Sequence, residues 1–414
     1  MFFAYLLALS CIAIILWEIR LPEKIYQYPF LSASIFLSFL VPQAFSLARY
    51  PLFLRTTSIE QTLLMSCLCF WMTWLGYRLR PNSKLIKKLN VSVDERKLVR
   101  AGKFLATASF LSSIILRQIS ISTNDVGNWT GPATILFFFG NLRYIAIAIF
   151  LISLLKKHTT GKLFWLCFAI LPVLEAVIVS GRRNPTFILL VAIGASLFFV
   201  KRWTPPKLLI VLLIILGSFL IPLIGQMRGD FWLALFTGGI GFSDIFAGLD
   251  RVLIEGGVLE LRNAAMLIEA ANHLQKFGLG TGFWSDIIFQ YVPGQLVGYD
   301  IKQALQIDFG ISRADLIDIF GTAFPTGSTR TGIGDSYAEF WYFGCLVFGF
   351  IAYFYRHIWI SAFYCQSVIS QVLYIGLLSP AMLAVTHGVG RFLQDAIFQM
   401  IFVGIAFNYS KIRK

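Results

Sequence analysis

Apolar residues in this chain neither alternate nor form one-sided helical stripes. They come in long runs separated by short polar stretches. Eleven runs stand out: Phe2–Trp17, Pro29–Leu47, Ile59–Tyr77, Phe104–Leu116, Ile135–Leu155, Leu163–Val179, Phe187–Val200, Leu208–Ile224, Tyr337–Tyr355, Ile360–Leu378 and Phe392–Phe407. A helix of roughly 20 apolar residues crosses a hydrocarbon core about 30 Å thick. Backbone in hydrocarbon must close its own hydrogen bonds, so each run predicts a helix. The pattern predicts an all-α polytopic membrane protein with about eleven transmembrane helices, the fourth being the weakest. It divides the chain into residues 1–225 with eight spans, a large extracytoplasmic loop at 226–336, and residues 337–414 with three spans and a tail.

Composition agrees. Of 414 residues, 57% are hydrophobic and only 14% charged, and mean hydropathy is +0.74. Soluble domains carry roughly 25% charged residues. The net charge of +14 would point to nucleic acid in a soluble protein. Here the basic residues gather in alternate short loops, most densely between Arg78 and Lys103 and in the tail Lys411, Arg413 and Lys414. That is the positive-inside pattern, so no nucleic-acid partner is expected. It predicts an outside N-terminus and a cytoplasmic C-terminus. The first run has no basic residue before it and no small-residue cleavage site after it, so it reads as a retained span. Cys11, Cys67, Cys69, Cys167, Cys345 and Cys365 all lie in apolar runs without a paired spacing, and read as small core residues.

The segment Gln226–Ser336 breaks the rhythm, being too long for a simple connector. Acidic residues outnumber basic ones in it, twelve to seven, and Gly, Pro and aromatic residues abound. The topology places it outside. Within it, Val258–Phe277 predicts an amphipathic helix with Arg262, Glu269, His273 and Lys276 on one stripe, opposite Leu267, Ala271 and Leu274.

No P-loop, HExxH or GxSxG is present, and only four histidines occur. The informative residues are arginines on the outer face, against the topology signal. Arg182 and Arg183 lie in the turn Ser180–Pro185. Arg228 follows the eighth span, Arg330 precedes the ninth, and Arg391 opens the last. Guanidinium groups chelate phosphate with bidentate hydrogen bonds, so these five are candidate diphosphate ligands. They can also snorkel to lipid headgroups or pair with Asp230 and Asp335. Three residues are candidate general bases. His387 lies at the outer mouth between the last two spans, and Asp335 and Glu339 stand at i,i+4 where the chain re-enters the membrane. Each has a structural alternative: satisfaction within the bundle for His387, and pairing with Arg330 or a helix N-terminus for the carboxylates. His387 ranks first because it needs no large pKa shift to act near neutral pH. Glu339 ranks second and Asp335 third.

Three stretches resemble the bacterial oligosaccharide repeat-unit polymerases (Wzy-type, O-antigen polymerase-like). They are Ser180–Arg183 before an apolar run, Phe283–Gly294 running on to Lys302, and Thr331–Gly344, of the form Gly-acid-x-Tyr-x-x-Phe followed by Phe-Gly. The second departs from the family, with Gln303 where a proline follows the lysine. The resemblance implies a GT-C-like, metal-independent membrane glycosyltransferase with no cofactor. It would work at the outer face of the cytoplasmic membrane and move a growing glycan from its polyprenyl diphosphate to the next lipid-linked repeat unit. Its partners would be that lipid-linked oligosaccharide, membrane lipids and a chain-length regulator. Two rivals stay open: an O-antigen ligase-like transferase, and a non-enzymatic flippase or transporter. A transporter tends to show internal repeats and short loops, and this chain has neither a visible repeat nor uniformly short loops.

Overall fold

All eleven apolar runs are helical over most of their length, though some of them are divided between successive helices. The computed structural model describes residues 1–119, 122–123, 129–130, 132–178, 183–226, 237, 260–325 and 328–412. Among them, eight helices are long and apolar enough to cross a membrane: Tyr28–Arg49, Glu95–Gln118, Pro132–Lys156, Thr160–Ile178, Asn184–Lys201, Thr331–Phe363, Val368–Thr386 and Val389–Ser410. The chain is thus a multi-pass, all-α membrane protein; the one paired strand among the described residues is a two-residue ladder, Ser122–Thr123 with Trp129–Thr130. The remaining three runs also fold as helices. Phe2–Glu18 is short. Lys207–Gln226 is described in full only as far as Leu216. Thr56–Arg78 has 23 residues, enough for about 34 Å, but Glu60 and Gln61 dilute its apolar content.

Several boundaries differ from the expectation. The weak fourth run belongs to a 24-residue helix, Glu95–Gln118, opened by Asp94, whose side chain accepts from Arg96 N at 2.8 Å. Half of the expected basic loop is therefore helix, because a charged first turn with an N-cap does not look apolar. The run Ile360–Leu378 straddles a turn: one helix ends at Phe363 and the next starts at Val368, capped by Ser367. Continuous apolar sequence carries no punctuation there.

The helices group into two apolar cores. Arg143–Lys156, Asn184–Lys201, Val368–Gly376 and Val389–Ser410 share one; Phe2–Glu18, Tyr28–Arg49, Thr56–Arg78 and Glu260–Leu274 share the other. Contacts between loops sort the two ends of the bundle. At one end Asn82 N donates to His357 Nε2 (2.8 Å), Asp94 N donates to Ser410 O (2.8 Å), and Lys24 pairs with Glu18 (3.2 Å). The dense basic segment lies there. At the other end Arg55 meets Glu269, and Thr329 Oγ1 donates to Thr386 O (2.7 Å).

The expected amphipathic helix is observed as Glu260–Leu274, and it does not float on the surface. Buried Gln43 caps it, accepting from Leu261 N at 2.8 Å. It is sandwiched against Thr331–Phe340 and Thr56–Arg78. Packing on two sides buries Glu269 and leaves Leu274 exposed, the reverse of the stripe expected for those two residues. Small residues allow the close approach: a Cβ on Gly334 would sit 2.6 Å from Ala264 Cα, and one on Gly332 would collide with the Ala384 carbonyl oxygen.

Candidate functional site

The span Thr331–Phe363 is broken. Its first segment, Thr331–Phe340, is bounded by Thr331 (φ 57°) and Trp341 (φ 54°), two non-glycine residues in the left-handed region. Such backbone persists only when its surroundings over-determine it, and it concentrates at functional sites. A 3-10 turn, Trp341–Gly344, then leads into Cys345–Phe363. The short segment carries Arg330 at its start and Asp335 and Glu339 one turn apart.

Both carboxylates are buried and face the starts of other helices. Asp335 Oδ2 accepts from Gly390 N at 3.1 Å, at the N-terminus of Val389–Ser410. Gly388 precedes it with φ 139°, and a Cβ there would lie 2.9 Å from the same oxygen. Glu339 Oε2 accepts from Gly280 N (2.8 Å) and Gly282 N (3.3 Å), at the N-terminus of Thr281–Tyr291. A Cβ on Gly278 or Gly282 would strike its carboxylate. Orphan amides at a helix N-terminus favour negative charge, so each carboxylate clamps a helix to the broken span. The helix-terminus alternative for Glu339 is thus seen, although the helix it caps is another one. Asp335 combines that role with a loose ion pair to Arg330, 3.9 Å.

Asp286 differs. It sits on Thr281–Tyr291, part-buried, and its carboxylate accepts no hydrogen bond among the described residues. It lies against the Gly388–Gly390 turn, since a Cβ on Gly390 would collide with its Oδ2. Arg330 and Arg391 both act on it as opposite charges, and Asp308 stands nearby. Burial first, and then the charge of Asp335, outweigh the two guanidinium groups and push the Asp286 carboxyl up to about 7. Asp308 itself is held by Gly310 N at 2.8 Å.

Of the five candidate arginines, Arg330 and Arg391 have described side chains, and both exert their charge on Asp286. Arg330 is half exposed and lies 3.9 Å from Asp335. Arg391 is more committed: it donates to Gln394 Oε1 (3.2 Å), lies 3.8 Å from Asp395 Oδ1 and stacks over the rings of Phe137 and Phe138 at 5.3 and 4.8 Å. Arg182 and Arg228 lie outside the described residues. Arg183 opens the helix Arg183–Lys201, and its side chain is likewise outside them. His387 is exposed at the same mouth, with Nδ1 2.8 Å from Thr386 Oγ1. The Thr386 carbonyl accepts from Thr329, which places His387 beside the Arg330 loop.

Sequence reasoning missed Asp286, the glycines that cradle Glu339, and Asn263. The last donates to Ser328 Oγ (2.8 Å) and Thr329 O (2.9 Å), tying the Glu260–Leu274 helix to the Arg330 loop. The density of glycine between Gly278 and Gly282 was the one available signal, because close backbone approach requires it. Among the described residues no three His, Cys, Asp or Glu side chains are grouped to hold a metal ion. Compared with family models, curated proteins and solved structures, the chain matches none.

Proposed function

We propose that the chain is a GT-C-like repeat-unit polymerase, acting on polyprenyl-diphosphate-linked oligosaccharides at the outer face of the cytoplasmic membrane. One observation carries the reading beyond the resemblance. A part-buried carboxylate, Asp286, lies against Gly390 beside Arg391 and feels the charge of both Arg330 and Arg391, at the mouth of a broken span. Broken helices at such positions bind anionic groups in other membrane proteins. The acceptor hydroxyl oxygen attacks the anomeric carbon of the growing chain. The carbon–oxygen bond to the diphosphate breaks, and polyprenyl diphosphate departs. Arg330 and Arg391 neutralise the charge that develops on it, the larger part of catalysis when the leaving group is a diphosphate. Asp286 takes the hydroxyl proton. Asp335 and Glu339 hold the two helices that carry Arg391 and Asp286, and His387 stands at the rim within reach of the donor headgroup. Guanidinium charge does this work without calling on a metal.

The same reading sets orientation. It has eleven crossings, the N-terminus outside, the 226–336 segment outside and the basic end cytoplasmic, as loop charge favours. Single cysteines placed at Ser285 and Ser83 on a cysteine-free background check it in intact cells. Labelling at Ser285 alone is expected; labelling at Ser83 alone inverts the topology and removes the extracytoplasmic reading.

The lipid-linked glycan pool of a deletion strain tests the activity. Single repeat units on polyprenyl diphosphate should accumulate. Long chains that remain on their lipid point instead to a ligase, and a depleted outer-face pool with units trapped inside points to a flippase.

A further inference from the structure

A second polar site opens at the same end of the bundle. It is a cavity of about 270 Å³ between the start of Thr56–Arg78 and the far half of Glu260–Leu274, lined by Arg55, Ser58, Gln61, Glu269, Asn272 and His273. None of these belongs to the arginine–carboxylate cluster described above.

Its walls are pre-arranged. Buried Glu269 is gripped by Arg55 from two directions: Oε2 accepts from the Arg55 backbone N at 3.0 Å, and Oε1 lies 3.4 Å from Nε. The Arg55 side chain stays mostly exposed and lines the cavity. Asn272 Nδ2 donates to Gln61 Oε1 (2.8 Å), and Tyr337 Oη donates to Asn272 Oδ1 (2.9 Å). Tyr337 belongs to the segment that carries Asp335 and Glu339, so the network joins the cavity to the broken span. His273 is exposed at the rim.

The chemistry of the lining selects the ligand class. Arg55 and Glu269 compensate each other, so the cavity holds little net charge and suits a neutral ligand better than a phosphate. Its lining offers both donors and acceptors: guanidinium N–H, amide groups, carboxylate oxygen and imidazole. Hydroxyl groups, each a donor and an acceptor at once, match such a lining. An apolar lipid tail does not, because polar groups would lose water without replacement.

We propose that this cavity is a saccharide subsite, which binds a neutral sugar residue of the acceptor glycan. Only the word acceptor rests on the polymerase reading. Along Glu260–Leu274, Asn263 at the Arg330 loop and Asn272 at the cavity are nine residues apart, about 13 Å. A short oligosaccharide spans that distance, so a sugar held at Asn272 can extend the next residues of the same glycan to the Arg330 loop.

The test uses the full chain in lipid nanodiscs, with glucose, galactose, mannose, N-acetylglucosamine and inorganic diphosphate as probes in saturation-transfer NMR. His273→Ala removes a rim group with no part in the packing. Arg55→Lys keeps the charge beside Glu269 and loses the fork, which guards against misfolding. At least one sugar should bind, and each variant should weaken it about tenfold, the effect of losing one hydrogen-bonding partner. Diphosphate binding should stay unchanged in both, whereas Arg330→Ala should do the opposite. Absence of sugar binding, sugar binding indifferent to both variants, or diphosphate competing for the same site overturns the proposal. The two readings separate cleanly. Normal polymer formation without sugar binding removes the subsite alone. Sugar binding lost in both variants of a protein that makes no polymer removes the polymerase alone.

Discussion

Arg330→Ala will lower polymer formation in vitro by about 10²- to 10³-fold, the typical effect of deleting one pre-organised group that stabilises developing negative charge. Arg330 heads the broken segment, and its guanidinium is half exposed and lies 3.9 Å from Asp335. Because the Asp335 end of that pair is buried, the variant loses a countercharge in the interior, and thermal unfolding is measured beside activity to separate lost stability from lost catalysis. Asp335 keeps its amide partner at Gly390 in the variant. Arg330→Lys should also be impaired, because an ammonium restores charge without the planar fork that grips two phosphate oxygens. Polymer formation at the normal rate by Arg330→Ala, with folding verified, places charge neutralisation elsewhere and removes this cluster as the catalytic centre.

Asp286→Asn should cost about 10²- to 10⁴-fold, the range for removing a general base. The substitution keeps shape and removes only the ability to take a proton. The pH profile carries the sharper signature. With its pKa pushed up to about 7, Asp286 is protonated and inactive below that value and ionised above it. Activity should therefore rise as pH increases through about 7 and level off, and the rising limb should vanish in Asp286→Asn. Because Arg330 favours the ionised form of Asp286, the residual activity of Arg330→Ala should show its limb moved to higher pH. An imidazole is the other side chain that ordinarily changes charge in this interval, so the competing assignment to His387 is checked directly. His387→Ala should retain the limb. If it abolishes the limb while Asp286→Asn does not, the base is His387.

The two carboxylates ranked beside His387 from sequence illustrate what spacing can and cannot reveal. Their separation of four residues correctly put them on one short helix. Spacing carried no information about what they would meet. Asp335 met the amide of Gly390, 55 residues away, and Glu339 met those of Gly280 and Gly282, 57 to 59 residues away. Asp286 lay inside a stretch noticed for its resemblance, yet nothing local marks an aspartate whose carboxylate accepts no hydrogen bond among the described residues. Its surroundings depend on the arrival of Gly390 from the last helix. Arg55 was passed over for a similar reason: its partner Glu269 is 214 residues distant and sat on the stripe expected to face solvent.

By itself the sequence determined the environment of the chain. Apolar runs and loop charge are properties of contiguous residues, and transfer between water and hydrocarbon acts on each run independently, so a multi-pass helical protein could be read without a fold. The break at Trp341, the turn at Tyr364–Ser367, the embedding of Glu260–Leu274 and the meeting of Arg330, Asp286 and Arg391 were decided by tertiary packing alone. Inside a membrane, apolar helices gain little from hiding apolar surface from lipid. Their arrangement rests on small-residue contacts such as Gly334 on Ala264 and on a few long-range polar bonds. Those depend on pairs of positions far apart in the chain, which no local pattern records.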